Sequence, residues 1–448
     1  MIKRIKAKYF DSLSSGKREI SINIGFSFLA KAIALLVSFI SVPLLLAYLG
    51  KDTYGIWLTI FSVISWMSFF DLGLGNGLRN HLTHTFAEND NKKAQEYIST
   101  AYWLLGSFIL ICIGILQFGV FFIDWFKVFR PTVHLNENFD VIVSICLWGF
   151  GALLIVRLIV SIMQSVKKTG TGDLLMAVGS FVSLVLIFFI SNFNSPTKLY
   201  LVASVFSWAS PIVLLLFSVY YFGIRNKTLR PRLKNVKKSL ARNIFGLGLE
   251  FFVAQFLVLI LNQSSNIIIT QVLSPAEVTV YFIPLRLFSV FSIIMGLFST
   301  NLLPYFTEAG AKNDVLKMRS IIMKFFKLLM FLVLVFTIIL IFSKFIIKIW
   351  TANQILIPFQ LLALHFFLVI IGGVNTIFST FLNGIGKIKV QLPVFLLSVM
   401  LFIPLAIFLG NELGLSGIVI ATIISQIPIS IFFLYQSKKY LKPLEVKS

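Results

Sequence analysis

Cysteine, histidine and acidic side chains are all scarce in this chain. Its two cysteines among 448 residues, Cys112 and Cys146, lie in apolar stretches, so neither a disulfide framework nor a thiolate metal site can be built from them. Of the four histidines, His81 and His84 share i, i+3 spacing, but no third ligand of similar quality accompanies them and they read as ordinary interfacial residues. Only 17 Asp and Glu stand against 39 Lys and Arg, and charged residues make up 12% of the chain. In a soluble protein a net charge of +22 would suggest nucleic acid. Here the basic residues flank apolar runs instead of forming a patch interleaved with aromatics, which sets nucleic acid aside as a partner. Long polar segments are missing too. The largest external gap, from Asp124 to Asp140, is too short for a catalytic module. No nucleotide-binding P-loop occurs, so no cofactor is expected, and an H+ or Na+ gradient or consumption of the substrate is left as the energy source.

What is abundant is apolar sequence. The chain is 58% hydrophobic with a mean hydropathy of +0.93, more than one soluble core can enclose, so lipid is its solvent. At roughly 20 residues per crossing, apolar runs fall near 20–49, 53–78, 98–123, 140–166, 171–192 and 198–223, then 243–272, 277–304, 320–343, 354–384, 388–410 and 414–436. The first run continues well past a secretory h-region without a small-residue cleavage site, and reads as a first span. Twelve spans put both termini on one side. Assigning boundary residues to the adjoining gap, 30 of the 39 Lys and Arg fall on that side, 6 on the other and 3 inside spans. The positive-inside rule makes the richer side cytoplasmic, most visibly in the linker 225–242, which has eight basic residues and no acid. This linker separates an N-terminal bundle, 1–224, from a C-terminal bundle, 243–448.

The halves look related. Asn23-Ile24 recurs as Asn243-Ile244, Phe86-Ala87-Glu88 as Phe306-Thr307-Glu308, and Met163-Gln164-Ser165-Val166-Lys167 resembles Leu382-Asn383-Gly384-Ile385-Gly386-Lys387, all at an offset near 220. Six spans per half keep the repeats in the same orientation, an arrangement that secondary transporters use to bind substrate between bundles. The three cations within spans are Lys31, Arg157 and Arg286. Lys31 is about eleven residues into its span, on the order of 16 Å deep, too far to snorkel. Asp71 and Glu250 are the acids at comparable depth, and Glu250 stands near the repeat position of Lys31. These charges could fix helix packing as buried pairs. They could also line a slightly cationic aqueous cavity holding an anionic group, to which Arg offers bidentate contacts and Lys a mobile charge.

The second span closes on Phe70-Asp71-Leu72-Gly73-Leu74-Gly75-Asn76-Gly77-Leu78-Arg79-Asn80. The spacing is wrong for a dinucleotide fingerprint and no strand precedes it. Alternate glycines suit close helix approach, local unwinding or a C-cap, with Arg79 at the cytoplasmic boundary. With Leu49-Gly50 and Tyr54-Gly55-Ile56-Trp57, this stretch resembles the polysaccharide flippases of the Wzx type, in the multidrug/oligosaccharidyl-lipid/polysaccharide exporter superfamily. The resemblance implies an all-α, MATE-like fold of two pseudo-symmetric six-helix bundles with a cleft lined by the first, second, seventh and eighth spans. It further implies an undecaprenyl-diphosphate-linked oligosaccharide as substrate, flipped across the inner membrane among membrane lipids, and a polymerase and chain-length regulator as pathway partners. On that architecture Lys31, Arg157 and Arg286 would meet the diphosphate or acidic sugars, while Asp71 and Glu250 act as counter-charges or titrate. Gly73, Gly75, Asn76, Gly77 and Arg79 form the motif. The rivals are a cation-coupled MATE-type drug antiporter, whose cationic substrate Lys31 would repel, and a membrane polymerase or acyltransferase, for which the external loop is too short and His365 is poorly placed.

Overall fold

The computed structural model describes residues 2–67, 74–133, 137–237, 239–240, 249–387 and 389–441, without the side chains of 2–21, 24, 76, 249–255, 258 and 262. All regular structure among them is helical, as lipid demands of a backbone that must satisfy its own hydrogen bonds. The N-terminal half contains α1 (Ile2–Ser65), α2 (Leu74–Ala87), α3 (Asn91–Val120), α4 (Trp125–Phe129), α5 (Phe139–Val156), α6 (Leu158–Ser165), α7 (Thr169–Ile190) and α8 (Lys198–Tyr220). The C-terminal half contains α9 (Leu249–Val272), α10 (Pro275–Ala311), α11 (Val315–Ile341), α12 (Ser343–Trp350), α13 (Phe359–Gly384) and α14 (Leu392–Tyr440).

Nine stretches among the described residues are long and apolar enough to cross a membrane. Two are too long for one crossing: Gly25–Ser65 has 41 residues and Lys389–Tyr440 has 52, against the roughly 20 that a ~30 Å hydrocarbon layer needs. Each is broken by a single glycine, Gly50 (φ 77°, ψ 169°) and Gly414 (φ 60°, ψ −142°), in a region that strains residues carrying a Cβ. The gap from Asp124 to Asp140 is not featureless, since it contains α4. Helical structure continues beyond the apolar run that ends near residue 78, since α2 runs on to Ala87. Leu74, Leu78 and Leu82, at i, i+4 and i+8, are wholly buried and give α2 the apolar stripe that holds it.

The chain divides into two compact units. The first comprises Met1–Tyr48, Met67–Asp124 and Asn136–Gly248. In it α8 packs on α5 and α7, α3 on α5, and α2 on α3 and α6. Glu137 is buried there and its carboxylate accepts the Leu199 and Tyr200 backbone N–H groups at 3.0 and 2.7 Å. Two donors at the start of α8 that its own turn cannot satisfy are thereby paired. Burial raises the pKa of this carboxyl and the two hydrogen bonds pull it back. The second unit comprises Leu49–Trp66, Trp125–Leu135 and Leu249–Ser448. Its centre is α13, packed on α10, α11 and α14, with α9 against α14 and α4 against α9.

Local geometry repeats along the chain. Asn89 (φ 56°) and Asn313 (φ 51°) each end a helix, and the next residue, Asp90 or Asp314, caps the following helix by accepting the N–H of Lys93 or Lys317 at 2.9 Å. The closing bonds match as well, Asp90 N–H to Thr85 and Asp314 N–H to Ala309, at 3.1 and 2.9 Å. A second pair of turns has Lys167 (φ 62°) and Gly386 (φ 73°) as its left-handed residues. Their closing bonds, Lys168 N–H to Met163 and Lys387 N–H to Leu382, are both 2.8 Å. These are Schellman-type stops at the register the sequence repeats suggest.

Candidate functional site

Lys31 projects from α1 with an exposed side chain. Arg157 occupies the break between α5 and α6 (φ −62°, ψ −19°), its N–H reaching the Leu153 carbonyl at 2.9 Å and its side chain exposed. Arg286 lies within α10, half-buried, and its buried Nε has no hydrogen-bond partner among the described residues. Tyr54, 2% exposed, is close enough for electrostatic interaction with Arg286, and its ring stands edge-on to Phe282, one turn before Arg286, at 6.3 Å. None of the three cations forms an ion pair with a described residue. A cation at a helix centre in lipid costs about 2.5–3.5 kcal/mol, so each is a candidate for a functional role. Asp71 and Gly73 lie outside the described residues; Glu250 and Asn76 are placed on α9 and α2, without their side chains.

The motif residues divide into two groups. In Tyr54-Gly55-Ile56-Trp57 all four are buried, and Gly55 sits where a Cβ would come within 1.7 Å of the Pro275 carbonyl oxygen. That approach lets Thr59 and Thr270 meet hydroxyl to hydroxyl at 2.8 Å, both wholly buried, and lets the Thr279 hydroxyl donate to the Lys51 carbonyl at 2.8 Å. This part of the motif is a helix contact inside the second unit. Gly75, Asn76, Gly77 and Arg79 all lie within α2, so the stretch is helical through Arg79 and does not supply the C-cap considered from sequence. His81 stacks on Tyr97, ring centroids 5.0 Å apart.

Sequence reasoning missed several polar contacts. The Ser27 hydroxyl donates to Asp173 at 2.6 Å and the Asn23 amide to the Lys167 carbonyl at 2.9 Å. Together they tie α1 to α7 and to the turn before it, where a Cβ on Gly170 would meet the Asn23 carbonyl oxygen at 2.4 Å. In the second unit Asn375 donates to Gln426 at 3.1 Å and accepts from Ser430 at 2.7 Å. His365, 1% exposed, places Nδ1 2.8 Å from the Leu361 carbonyl and its ring edge-on to Tyr281 at 5.0 Å. The Tyr281 hydroxyl lies near those of Ser265 and Thr422. His365 is therefore a buried member of a polar cluster joining four helices. Local sequence carries no signal for such pairs, since their partners lie tens to hundreds of positions away. No group of three or more potential metal ligands occurs among the described residues.

The model of the family described as "Polysaccharide biosynthesis protein" matches residues 21–310, and the MatE model matches residues 251–408. A Yersinia pseudotuberculosis protein named for O-antigen export is 23% identical over 371 residues, 80% of this chain and 82% of that protein. A Salmonella typhimurium protein named as an O-antigen transporter is 25% identical, covering 66% and 67%. Among solved structures, an inward-facing multidrug resistance MATE family transporter superposes with a TM-score of 0.72 at 16% identity, over 92% of this chain and 98% of that one. A transporter of the same superfamily from Pyrococcus furiosus, described as having a binding pocket of reversed polarity, gives 0.58 at 15% identity, over 95% and 96%. With most of its length matched by the family model and its helices arranged in the MATE fold, this multi-pass membrane chain belongs to the polysaccharide biosynthesis protein family.

Proposed function

We propose that this protein is a flippase that moves an undecaprenyl-diphosphate-linked oligosaccharide, the repeat unit of an O-antigen or capsule, from the cytoplasmic to the outer leaflet of the inner membrane by alternating access. The observation that carries this reading is the placement of Lys31, Arg157 and Arg286 in strongly apolar helices, with no described residue forming an ion pair with them. A lipid-linked diphosphate is a substrate that such cations can compensate. Its polyprenyl tail stays in lipid, its phosphates take charge-assisted hydrogen bonds from Arg and a mobile ammonium from Lys, and its glycan needs a wet path. Asp71 and Glu250 serve as counter-charges or titrate with an H+ or Na+ gradient. Relatives named for O-antigen export and transport support the substrate class.

The proposed topology has twelve crossings: the nine apolar stretches, with the two long ones divided at Gly50 and Gly414, and α9. Both termini and the basic linker are cytoplasmic, and the product passes to a polymerase and its chain-length regulator. The test is the amount and sidedness of undecaprenyl-diphosphate oligosaccharide in inner membranes of a deletion strain. Accumulation on the cytoplasmic face, reversed by the intact gene and not by Lys31→Ala or Arg286→Ala at equal expression, is the expected result. Finished units already on the outer face, with only polymerisation missing, would overturn it in favour of an enzyme.

The MatE match over residues 251–408 favours a second reading, a cation-coupled drug antiporter. Proteoliposomes that expel a cationic dye in response to an H+ or Na+ gradient would support it, whereas three membrane cations with no ion pair among the described residues argue against a cationic substrate.

A further inference from the structure

A pocket of about 560 Å³ opens where the loop around α4 meets the turn between α9 and α10. Its walls bring Lys127 and Arg130 together, and none of the described residues lining it is acidic. Reciprocal hydrogen bonds hold the cationic wall in place. The Arg130 guanidinium donates to the Gln271 carbonyl, while the Gln271 side-chain amide donates to the carbonyls of Lys127 and Val128 at 3.0 and 2.6 Å. Asp52 accepts the Thr132 hydroxyl, and Glu277, in the first turn of α10, pairs with Lys51 at 3.6 Å. Across the pocket Ser274 begins the 37-residue α10 and forms no side-chain capping bond. Its hydroxyl lines the same pocket as the two cations, a combination suited to a phosphate. Phe126 and Leu273 add apolar wall. The chain entering α4 carries Phe121 and Phe122, about 70% exposed, as expected at a lipid headgroup boundary.

We propose that this pocket binds the phosphate of a lipid headgroup. On the topology of the flippase reading, on which this assignment of side rests, it faces the outer leaflet. Two sources share the chemistry, the diphosphate of the lipid just carried across and an anionic phospholipid of the bilayer. An adjoining apolar wall favours either of them over free phosphate.

The test is native mass spectrometry of the full-length protein in detergent with three probes, farnesyl diphosphate, phosphatidylglycerol and inorganic pyrophosphate. Two variants separate binding from folding. Lys127→Gln removes one cation. Ser274→Asp puts an anion in the pocket while supplying a better N-cap, so it should unfold no more readily than the wild type. Loss of one charged hydrogen bond in Lys127→Gln, and like-charge repulsion in Ser274→Asp, each predict binding weaker by roughly tenfold or more. Preference for farnesyl diphosphate assigns the site to the carried lipid, and preference for phosphatidylglycerol assigns it to the bilayer; both results uphold it. Pyrophosphate bound as well as either lipid, or variants that bind like the wild type, would overturn it. A flipping assay run beside these measurements separates the two claims. Wild-type protein that binds at this site but does not flip refutes the flippase reading alone, and normal flipping with unaltered binding in both variants refutes the site alone.

Discussion

Replacing Gly55 by alanine sets two effects of opposite sign against each other. In a helix exposed on all sides alanine is favoured over glycine by about 1 kcal/mol. Here the added Cβ would sit 1.7 Å from the Pro275 carbonyl oxygen, 2.5 Å from its carbon and 3.2 Å from Thr279 Oγ1. Carbon and oxygen settle at roughly 3.3 Å or more, so the two segments must part by about 1.5 Å. That displacement breaks the Thr279 to Lys51 hydrogen bond and the Thr59 to Thr270 contact, both 2.8 Å, at about 1 kcal/mol each. Overpacking adds about 1–3 kcal/mol. After the gain in helix propensity, the net expectation is a destabilisation of about 2–4 kcal/mol. Denaturation in a mild detergent, followed by tryptophan fluorescence, measures it. The control is Gly106→Ala in α3, where nothing lies within 4 Å of the new Cβ, and stability should be unchanged or about 1 kcal/mol higher. If Gly55→Ala behaved like Gly106→Ala, the close approach of these segments would be refuted.

Three further outcomes are expected. Thr59→Val should cost about 1 kcal/mol because it removes the contact with the Thr270 hydroxyl, which keeps its bond to the Asn266 carbonyl at 2.8 Å, and adding Thr270→Val should then cost less than it does in the wild type, since the contact is already gone; additive losses in a double-mutant cycle would contradict the pairing. Asn89→Val and Asn313→Val place a β-branched residue at φ near +50°, so unfolding should show similar losses of about 1–2 kcal/mol, and markedly unequal losses would count against equivalent turns. Glu137 has its carboxyl pKa raised by burial, so the folded state keeps its proton to higher pH than the unfolded chain does. Its contribution to stability is complete below the unfolded pKa and is lost as pH rises through the folded one. Unfolding measured from mildly acid to neutral pH should show that downward slope in the wild type and a flat line in Glu137→Gln, and an upward slope in the wild type would refute it.

How much was readable beforehand varied with the range of the interaction. Apolar run length is a local property, and nine stretches long and apolar enough to cross a membrane lie among the described residues at such runs. Gly50, quoted only as part of a motif, turned out to divide α1, because a positive φ leaves no mark beyond the residue type itself. Of the alternatives for the stretch from Gly75 to Arg79, the C-cap fails because the helix continues; Leu74, Leu78 and Leu82, at i, i+4 spacing, carried the signal for it. For the site, the sequence placed Lys31, Arg157 and Arg286 within helices. It could not foresee that Arg157 would stand at a break between two helices, or that Tyr54 would lie beside Arg286. Ser27 and Asp173, 146 positions apart, and Asn375 and Gln426, 51 apart, meet because of which helices are neighbours. Hydropathy alone does not encode that.

The contact between Thr59 and Thr270 joins residues 211 positions apart, and this separation sets a timetable for biogenesis. At roughly 5–20 residues per second the ribosome needs on the order of 10–40 s to make the intervening chain. For most of that interval the segment from Leu49 to Trp66 has been made, while the residues of α9 and α10 against which it packs have not. Thr59, Ser62 and Tyr54, all buried in the finished protein, must meanwhile face the insertion machinery, lipid or a temporary helix partner. Substitutions along this segment should therefore reduce the yield of inserted protein, visible as rapid degradation of nascent chains, before they alter the activity of molecules that mature.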